Sequence, residues 1–273
     1  MIPFHALKDN ISQILAITEK NVKLHLRYKF GLIFAIINPL LAIYIPLIIM
    51  GNLFEFSNQF GVWNSQNFIV YQFIAYNISL LKSLVNVFPK QFQMEKFWKT
   101  LPALIIGPFD RINLLLGILF SHIIIISPPF LVIIVLNLIY YPISIISFLF
   151  FLFEFLLIAL IFSGIGIAFG VFAISNENVL KVLNFLIGFV YLFSCLTFPF
   201  QIFPDFIQNV IVINPLYYVF DFLRMSWINN NVALTITNYP FHFLILISCA
   251  IILPIVGTYI FSKVYKKYGI TGF

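Results

Sequence analysis

The chain has 273 residues, of which 62% are hydrophobic and only 9% are charged, and its mean hydropathy is +1.05. A soluble domain carries about 25% charged residues, so the composition excludes a soluble globular protein and indicates a polytopic membrane protein bounded by lipid. The formal net charge of +6 is attributed to basic residues that orient the chain in the bilayer, and we expect no binding to nucleic acid.

Residues 1–29 form an amphipathic segment that we expect to be a helix at the cytoplasmic interface. Apolar and small residues recur at spacings of three and four, while Lys20, Lys23 and Arg27 lie away from that stripe. This pattern is typical of a helix lying in the membrane surface. A basic anchor that only sets the topology is a second, compatible interpretation. The stripe consists of Ile11, Leu15, Thr18, Val22 and Leu26.

Residues 30–273 are expected to form one domain with six transmembrane helices, each built from a stretch of about 20 apolar residues. A mixed, charged segment at about residues 89–111 separates the second helix from the third. The predicted spans are about residues 31–53, 68–88, 112–138, 144–173, 179–198 and 241–262.

The basic residues predict the orientation of these spans. With six spans and a cytoplasmic N-terminus, all 15 Lys and Arg residues except Arg224 fall on the cytoplasmic side, as the positive-inside rule requires. Both termini are then cytoplasmic, and the segment at 89–111 is cytoplasmic as well. A seventh span would place Lys263, Lys266 and Lys267 outside.

The segment at about residues 199–227 is apolar but too interrupted to be a span. Its apolar stretches, 206–213 and 216–220, are each too short to cross a bilayer, and Asn214-Pro215 interrupts the helix between them. We therefore expect a helical hairpin that enters the outer leaflet and returns before the sixth span. Re-entrant backbone is tolerated only where it is buried in protein or lines a cavity, so this hairpin indicates transport across the membrane.

A few polar residues in the apolar segments are candidates for function. Glu154 lies well inside the fourth span, where a charge costs about 2.5–3.5 kcal/mol, and it either faces a transport path or is a helix-contact residue. Asp221 and Arg224 are three residues apart and can pair on one helix face, as a local neutral pair or as an anchor for the hairpin. Tyr217 and Tyr218 either line a path or pack in the core.

The chain carries no recognisable catalytic, cofactor-binding or metal-ligating motif. None of the 12 glycines is followed by lysine, which excludes the GxxxxGK[ST] phosphate loop. The four histidines are scattered. Gly166-x-x-x-Gly170 is interpreted as a site of close helix packing. We therefore expect no catalytic residue, metal site or cofactor in this chain.

The broken segment resembles the C-terminal signature of type-2 ABC exporter permeases, a family of drug, lipid and polysaccharide exporters. The resemblance covers the whole chain in outline, with an interface helix, six spans and a re-entrant pair before the sixth. The positions that match, and that it implies for the re-entrant gate, are Phe198-Pro199, Phe203-Pro204, Asn214-Pro215-Leu216, Asp221 and Arg224.

A second match follows the second span, where the family carries the cytoplasmic helix that touches the ATPase. The family has a Glu and a basic residue, then Thr-Leu and a Pro, and its glycine before Thr-Leu is replaced here by Lys99. The residues expected to couple to the ATPase are Glu95, Lys96, Trp98, Thr100 and Leu101, followed by Pro108.

The resemblance implies the permease subunit of an ATP-driven exporter in the plasma membrane. It implies a separate ABC ATPase subunit that binds ATP and Mg²⁺, and a second permease chain, which we expect to be an identical copy. The expected substrate is a lipid, a lipophilic drug or a lipid-linked polysaccharide. A membrane-embedded enzyme or assembly scaffold that acts without ATP remains the alternative.

Overall fold

The computed structural model describes residues 4–27, 29–56, 59–99, 110–175 and 177–268, and these are almost entirely helical. A two-stranded hairpin of β1 (Gln59–Phe60) and β2 (Trp63–Asn64) and a short 3₁₀-helix (Phe200–Ile202) interrupt the helices. The α-helices are α1 (Phe4–Arg27), α2 (Lys29–Phe56), α3 (Phe68–Lys82), α4 (Leu84–Phe97), α5 (Arg111–Tyr140), α6 (Ile145–Ser175), α7 (Glu177–Leu192), α8 (Asp205–Ile211), α9 (Pro215–Asn229), α10 (Val232–Asn238) and α11 (Pro240–Tyr268).

The architecture is that of an all-α polytopic membrane protein. Within the described ranges, four helical segments are long and apolar enough to cross a bilayer, and α8 with α9 forms a further candidate that is bent by 92°. The predicted spans at 31–53 and 179–198 are helical as α2 and α7, but their described apolar parts are shorter than a span, so the number six stays a prediction. The four segments are Phe68–Phe97, Ile112–Tyr140, Ile145–Phe172 and Pro240–Val264.

Two breaks between helices differ from those predicted. The second helical segment continues past Phe88 to Phe97, with a break at Ser83 between α3 and α4, so the segment predicted at 89–111 begins as helix. In addition, α7 ends at Leu192 and not at residue 198, because the chain turns at residues 193–195 and Cys195 has a positive φ of 54°. Neither break carries a proline or glycine in the sequence, so neither was foreseeable from breaker residues.

The bundle has two distinct ends. Helix α1 packs across the N-terminal end of α5, where Thr18 Oγ1 donates a hydrogen bond to the Gly117 carbonyl at 3.2 Å. The β1–β2 hairpin lies where α3 begins, and the ring of Phe73 in α3 lies 6.0 Å from that of Tyr140 at the C-terminal end of α5. Because α5 runs from one group of contacts to the other, we call the two sides the α1 end and the β-hairpin end.

The predicted stripe of α1 does not face the bundle as a whole. The bundle face of α1 is formed by Ile17, Thr18 and Asn21, which are buried. Ile11 and Leu15 of the predicted stripe are at least half exposed. Of the three buried residues, only Thr18 belongs to the stripe. The periodicity correctly indicated a helix, but half of its apolar face is left uncovered by the chain itself, as expected for a helix that also contacts lipid.

Close helix packing centres on glycines of α6. A Cβ on Gly166 would lie 2.7 Å from the Leu84 carbonyl oxygen, and a Cβ on Gly170 would lie 2.8 Å from the ring of Phe92. On a second face of α6, a Cβ on Gly164 would clash with the backbone of Leu253 in α11. Helices in lipid associate through such small-residue contacts because burial from water supplies no driving force there. The interpretation of Gly166-x-x-x-Gly170 as a packing site is confirmed.

We predict that Gly164→Ala destabilises the protein, because the new methyl group would have to push α11 away from α6. The expected loss is about 1–3 kcal/mol, as for other overpacked sites, measured as a lower thermal unfolding midpoint in detergent. Gly188→Ala in α7 is the matched control, since nothing lies within 4 Å of its Cβ position, and it should be neutral or stabilising. Equal midpoints for the two variants would show that the α6–α11 contact is looser than described.

Candidate functional site

Helix α7 ends at Leu192, and Asn214 binds carbonyl groups at that end. The last carbonyl groups of a helix have no partner within it. Asn214 Nδ2 donates to the carbonyls of Val190 at 2.6 Å and Phe193 at 2.9 Å, while its Oδ1 accepts from the Leu216 N–H at 3.0 Å. One side chain therefore ends α7 and caps the start of α9, where Pro215 occupies a position that needs no N–H.

Three further carbonyls, at residues 195–197, accept hydrogen bonds from side chains of α3 and α9. Tyr71 Oη donates to Cys195, Gln72 Nε2 donates to Thr197 at 2.9 Å, and Arg224 Nη2 donates to Leu196 at 2.6 Å. We call the four donors Tyr71, Gln72, Asn214 and Arg224, with the five carbonyls they bind, the α7-end network. It joins α3, α7 and α9 at one place.

The expected pairing of Asp221 with Arg224 is wrong. Arg224 is buried, and its guanidinium group lies 3.8 Å from the centre of the Tyr71 ring. Asp221 Oδ2 instead lies 3.3 Å from His242 Nε2 at the start of α11, and no ion pair joins Asp221 to Arg224 in the described part of the chain. The spacing of three residues permitted the pair, but each side chain has a better partner on another element.

The other predicted gate residues stand at turns. Pro199 directly precedes the 3₁₀-helix and Pro204 directly precedes α8, both in extended conformation. Tyr218 Oη donates to the Val212 carbonyl at 2.7 Å across the α8–α9 turn, so it stabilises the turn. Tyr217 is half-buried and lines a cavity at the β-hairpin end.

Helix α9 packs against α6, and its last residues lie at the β-hairpin end. Its Phe220 ring lies 6.1 Å from that of Phe162 in the middle of α6, and its Trp227 ring lies 4.8 Å from that of Phe151, near the start of α6. Beyond α9, Asn230 Oδ1 accepts a hydrogen bond from the Ser144 N–H at 2.7 Å.

Glu154 is enclosed within the chain and does not line the cavity at the β-hairpin end. Its side chain is fully buried, and Oε2 accepts a hydrogen bond from Ser226 Oγ of α9 at 2.5 Å. Ser226 Oγ also lies 2.9 Å from the Leu223 carbonyl. Of the two interpretations left open by the sequence, the contacts are those of a helix-contact residue between α6 and α9.

At the α1 end, Glu95 joins α1 to α4. Its side chain is 2% exposed, and Oε1 accepts hydrogen bonds from Lys20 Nζ of α1 and Gln91 Nε2 of α4, both at 2.9 Å. A buried carboxylate needs such partners. Lys96 is exposed. The predicted coupling residues Thr100 and Leu101, and Pro108 after them, lie outside the described residues.

Beyond Glu95 the end of α4 presents aromatic side chains to the surroundings. Phe97 is 84% exposed and Trp98 is 44% exposed. Lys99, which replaces the family's glycine, has a φ of 57°, a left-handed conformation that glycine adopts at no steric cost.

The surroundings shift the pKa values of two ionisable groups of α1. The hydrogen bond and charge of Lys23 hold the pKa of Glu19 below its usual value. Partial burial lowers the pKa of His25 below its usual value, and the charge of Lys90 lowers it further. Within the described ranges, no group of three or more His, Cys, Asp or Glu side chains is placed to hold a metal ion.

The fold, the α7-end network and the contacts of Glu95 define a helical membrane protein with a broken helix pair next to its last long helix. Residues 12–227 match the protein-family model described as ABC-2 type transporter. The match covers well over half of the chain, so the protein belongs to the ABC-2 type transporter family and is a multi-pass membrane component of an ABC transporter. Membership implies association with an ABC ATPase. No curated protein matches the chain.

We predict that Asn214→Asp destabilises the protein although it keeps the helix cap. Aspartate still accepts from Leu216 N–H, but it loses both donations to α7 and brings a carboxylate next to two carbonyl oxygens. The expected loss is about 1–3 kcal/mol, read from thermal unfolding in detergent. Asn231→Asp is the matched control, because Asn231 only caps α10 through Oδ1 and Asp caps as well as Asn. Similar losses in both variants would refute the role of the α7-end network.

Proposed function

We propose that the chain is the permease subunit of an ATP-driven exporter in the plasma membrane, with both termini cytoplasmic. Family membership and the exposed Phe97 and Trp98 at the α1 end support the proposal. Large aromatic side chains left exposed at a helix end are typical anchors of a protein interface. A separate ABC ATPase, which binds ATP and Mg²⁺, contacts this surface, and Glu95 positions it by holding α1 against α4.

A second copy of the chain completes the translocation path. The exposed apolar faces of α2 and α7 are available for it, with Leu41 and Ile45 on α2 and Phe185 and Phe189 on α7 at least 46% exposed. The proposal of a homodimer is supported by the family resemblance and by these exposed apolar faces.

The α8–α9 pair acts as the re-entrant gate on the outer side. Support comes from its 92° bend, from the contact of Gln201 with Gly61 before α8, and from the contact of Asn230 with Ser144 after α9. Both ends of the pair thus lie at the β-hairpin end. The substrate is a lipid, a lipophilic drug or a lipid-linked polysaccharide. Family membership disfavours the alternative of an ATP-independent enzyme or scaffold.

We predict that Phe97→Ala and Trp98→Ala weaken binding of the ATPase at least tenfold without preventing membrane insertion. The chain is co-expressed with a candidate ABC ATPase that carries a phosphate loop, and retention of the ATPase and its dependence on the permease for ATP hydrolysis are measured. Phe206→Ala is the matched control, since Phe206 is 79% exposed but lies in α8. Unchanged retention and hydrolysis in both α4 variants, or an equal loss in the α8 variant, would contradict the coupling surface.

Glu95→Ala should uncouple transport from ATP hydrolysis, because Lys20 and Gln91 lose their shared acceptor and α1 is no longer held against α4. Glu95→Gln keeps an acceptor oxygen and should retain more activity than Glu95→Ala. The measurement is ATP-dependent uptake of candidate lipids, drugs and lipid-linked glycans into vesicles that contain the purified permease and ATPase, with the ATPase facing outward. Full coupling in Glu95→Ala would show that the contact between α1 and α4 plays no part.

A further inference from the structure

A cavity of about 260 Å³ opens at the β-hairpin end, among the β1–β2 hairpin, α3, the segment after α7, α9 and the start of α11. Drug-sized ligands occupy pockets of roughly 300–1,000 Å³, so this cavity suits a ligand of about one ring. Gly61 in the hairpin approaches its mouth with a φ of 64°, and a Cβ there would lie 2.5 Å from Gln201 Nε2. The hairpin and Gln201 therefore form one rim.

The charged groups that line the cavity come close to balance. Asp221 contributes a carboxylate, 3.3 Å from His242 Nε2, and Arg224 contributes a guanidinium group. A phosphate would be opposed by Asp221, and an ammonium group would be opposed by Arg224. The balance therefore favours a neutral ligand.

The hydrogen-bonding capacity of the lining calls for a ligand that both donates and accepts. Arg224 is 1% exposed, and its Nε has no acceptor among the described residues. A buried donor without a partner costs about 1–3 kcal/mol, which an acceptor on a ligand would offset. Asp221 accepts only, Arg224 donates only and Gln201 does both, whereas a hydroxyl group serves either role. Adjacent hydroxyl groups on one ring match this set.

Aromatic side chains supply the apolar part of the cavity. Trp63, Tyr217 and Tyr239 line it, and Trp63 is held edge-on against Tyr71 with ring centroids 4.8 Å apart. Binding pockets combine such apolar and aromatic walls with a few placed polar groups. A ring with a C–H face and hydroxyl groups at its edge presents both kinds of surface.

We propose that this cavity binds one neutral, hydroxyl-rich ring of the pyranose type, either as a free glycoside or as the headgroup of a glycolipid. Asp221 accepts hydrogen bonds from its hydroxyl groups, Arg224 Nε donates one to it, and Trp63 packs on its face. The site is built within a single chain, and binding to it requires neither the ATPase nor transport. A failure of ligand binding at this cavity is therefore distinguishable from a failure of the proposed transport function.

The test uses the full chain in phosphatidylcholine nanodiscs and saturation-transfer NMR. The soluble probes are the methyl glycosides of glucose, galactose and mannose, with glucosamine and glucuronate as charged comparisons. Glucosyl diacylglycerol in the nanodisc is the lipid probe, and it is tested by competition with the glycosides or by its own transfer signal. Binding of a glycoside assigns the free ring as a ligand, and binding of the glycolipid alone assigns the headgroup.

We expect saturable binding of at least one neutral probe, weakened at least tenfold by Asp221→Asn and at least threefold by Gln201→Ala. Gln201 is exposed, so its variant tests the site even if Asp221→Asn does not fold. Asp205→Asn in α8 is the matched control and should bind as the unaltered chain does. The proposal is overturned if no neutral probe binds, if a charged sugar binds more tightly, or if Asp205→Asn and Gln201→Ala have equal effects.

Discussion

A carbonyl group at the end of a helix cannot be left without a donor in the apolar interior of a membrane protein, because each such group costs several kcal/mol. Helix α7 stops at Leu192, and five carbonyls at its end and in the following turn, between Val190 and Thr197, accept hydrogen bonds from side chains. The donors come from Tyr71 and Gln72 of α3 and from Asn214 and Arg224 at and within α9. The position of the broken helix pair depends on this network more than on any ion pair.

The same network links the cavity and the α8–α9 pair, the two proposed functional regions at the β-hairpin end. Arg224 donates from Nη2 to the Leu196 carbonyl after α7, and it is also one of the residues that line the cavity. Tyr71 binds Cys195, supports Arg224 through its ring and holds Trp63 edge-on. A movement of α9 against α7 would therefore change the cavity, which gives ligand binding a direct route to the proposed gate. At the other end, Glu95 plays the corresponding role by joining α1 to α4.

The sequence predicted the elements with strong local signals and missed those set by distant partners. Long apolar stretches predicted α5, α6 and α11 to within a few residues, except for the polar C-terminal turn of α11, and Asn214-Pro215 marked the bend between α8 and α9. The break at Ser83 and the early end of α7 have no proline or glycine signal. The sequence indicated Asp221 and Arg224 as site residues but paired them with each other. A spacing of three residues carries no information about their actual partners, His242 and the Leu196 carbonyl.

Labelling introduced cysteines with a membrane-impermeant maleimide in intact cells tests the central claim, that α8 and α9 enter and leave the bundle at the same end. Asp205→Cys and Asn231→Cys flank the pair and lie at exposed positions, Lys23→Cys marks the α1 end, and the unaltered chain gives the background. The account predicts that Asp205→Cys and Asn231→Cys both react from outside, and that Lys23→Cys reacts only after permeabilisation. Reaction of Asp205→Cys and Asn231→Cys from opposite sides would show that the bent pair crosses the membrane, and would contradict it.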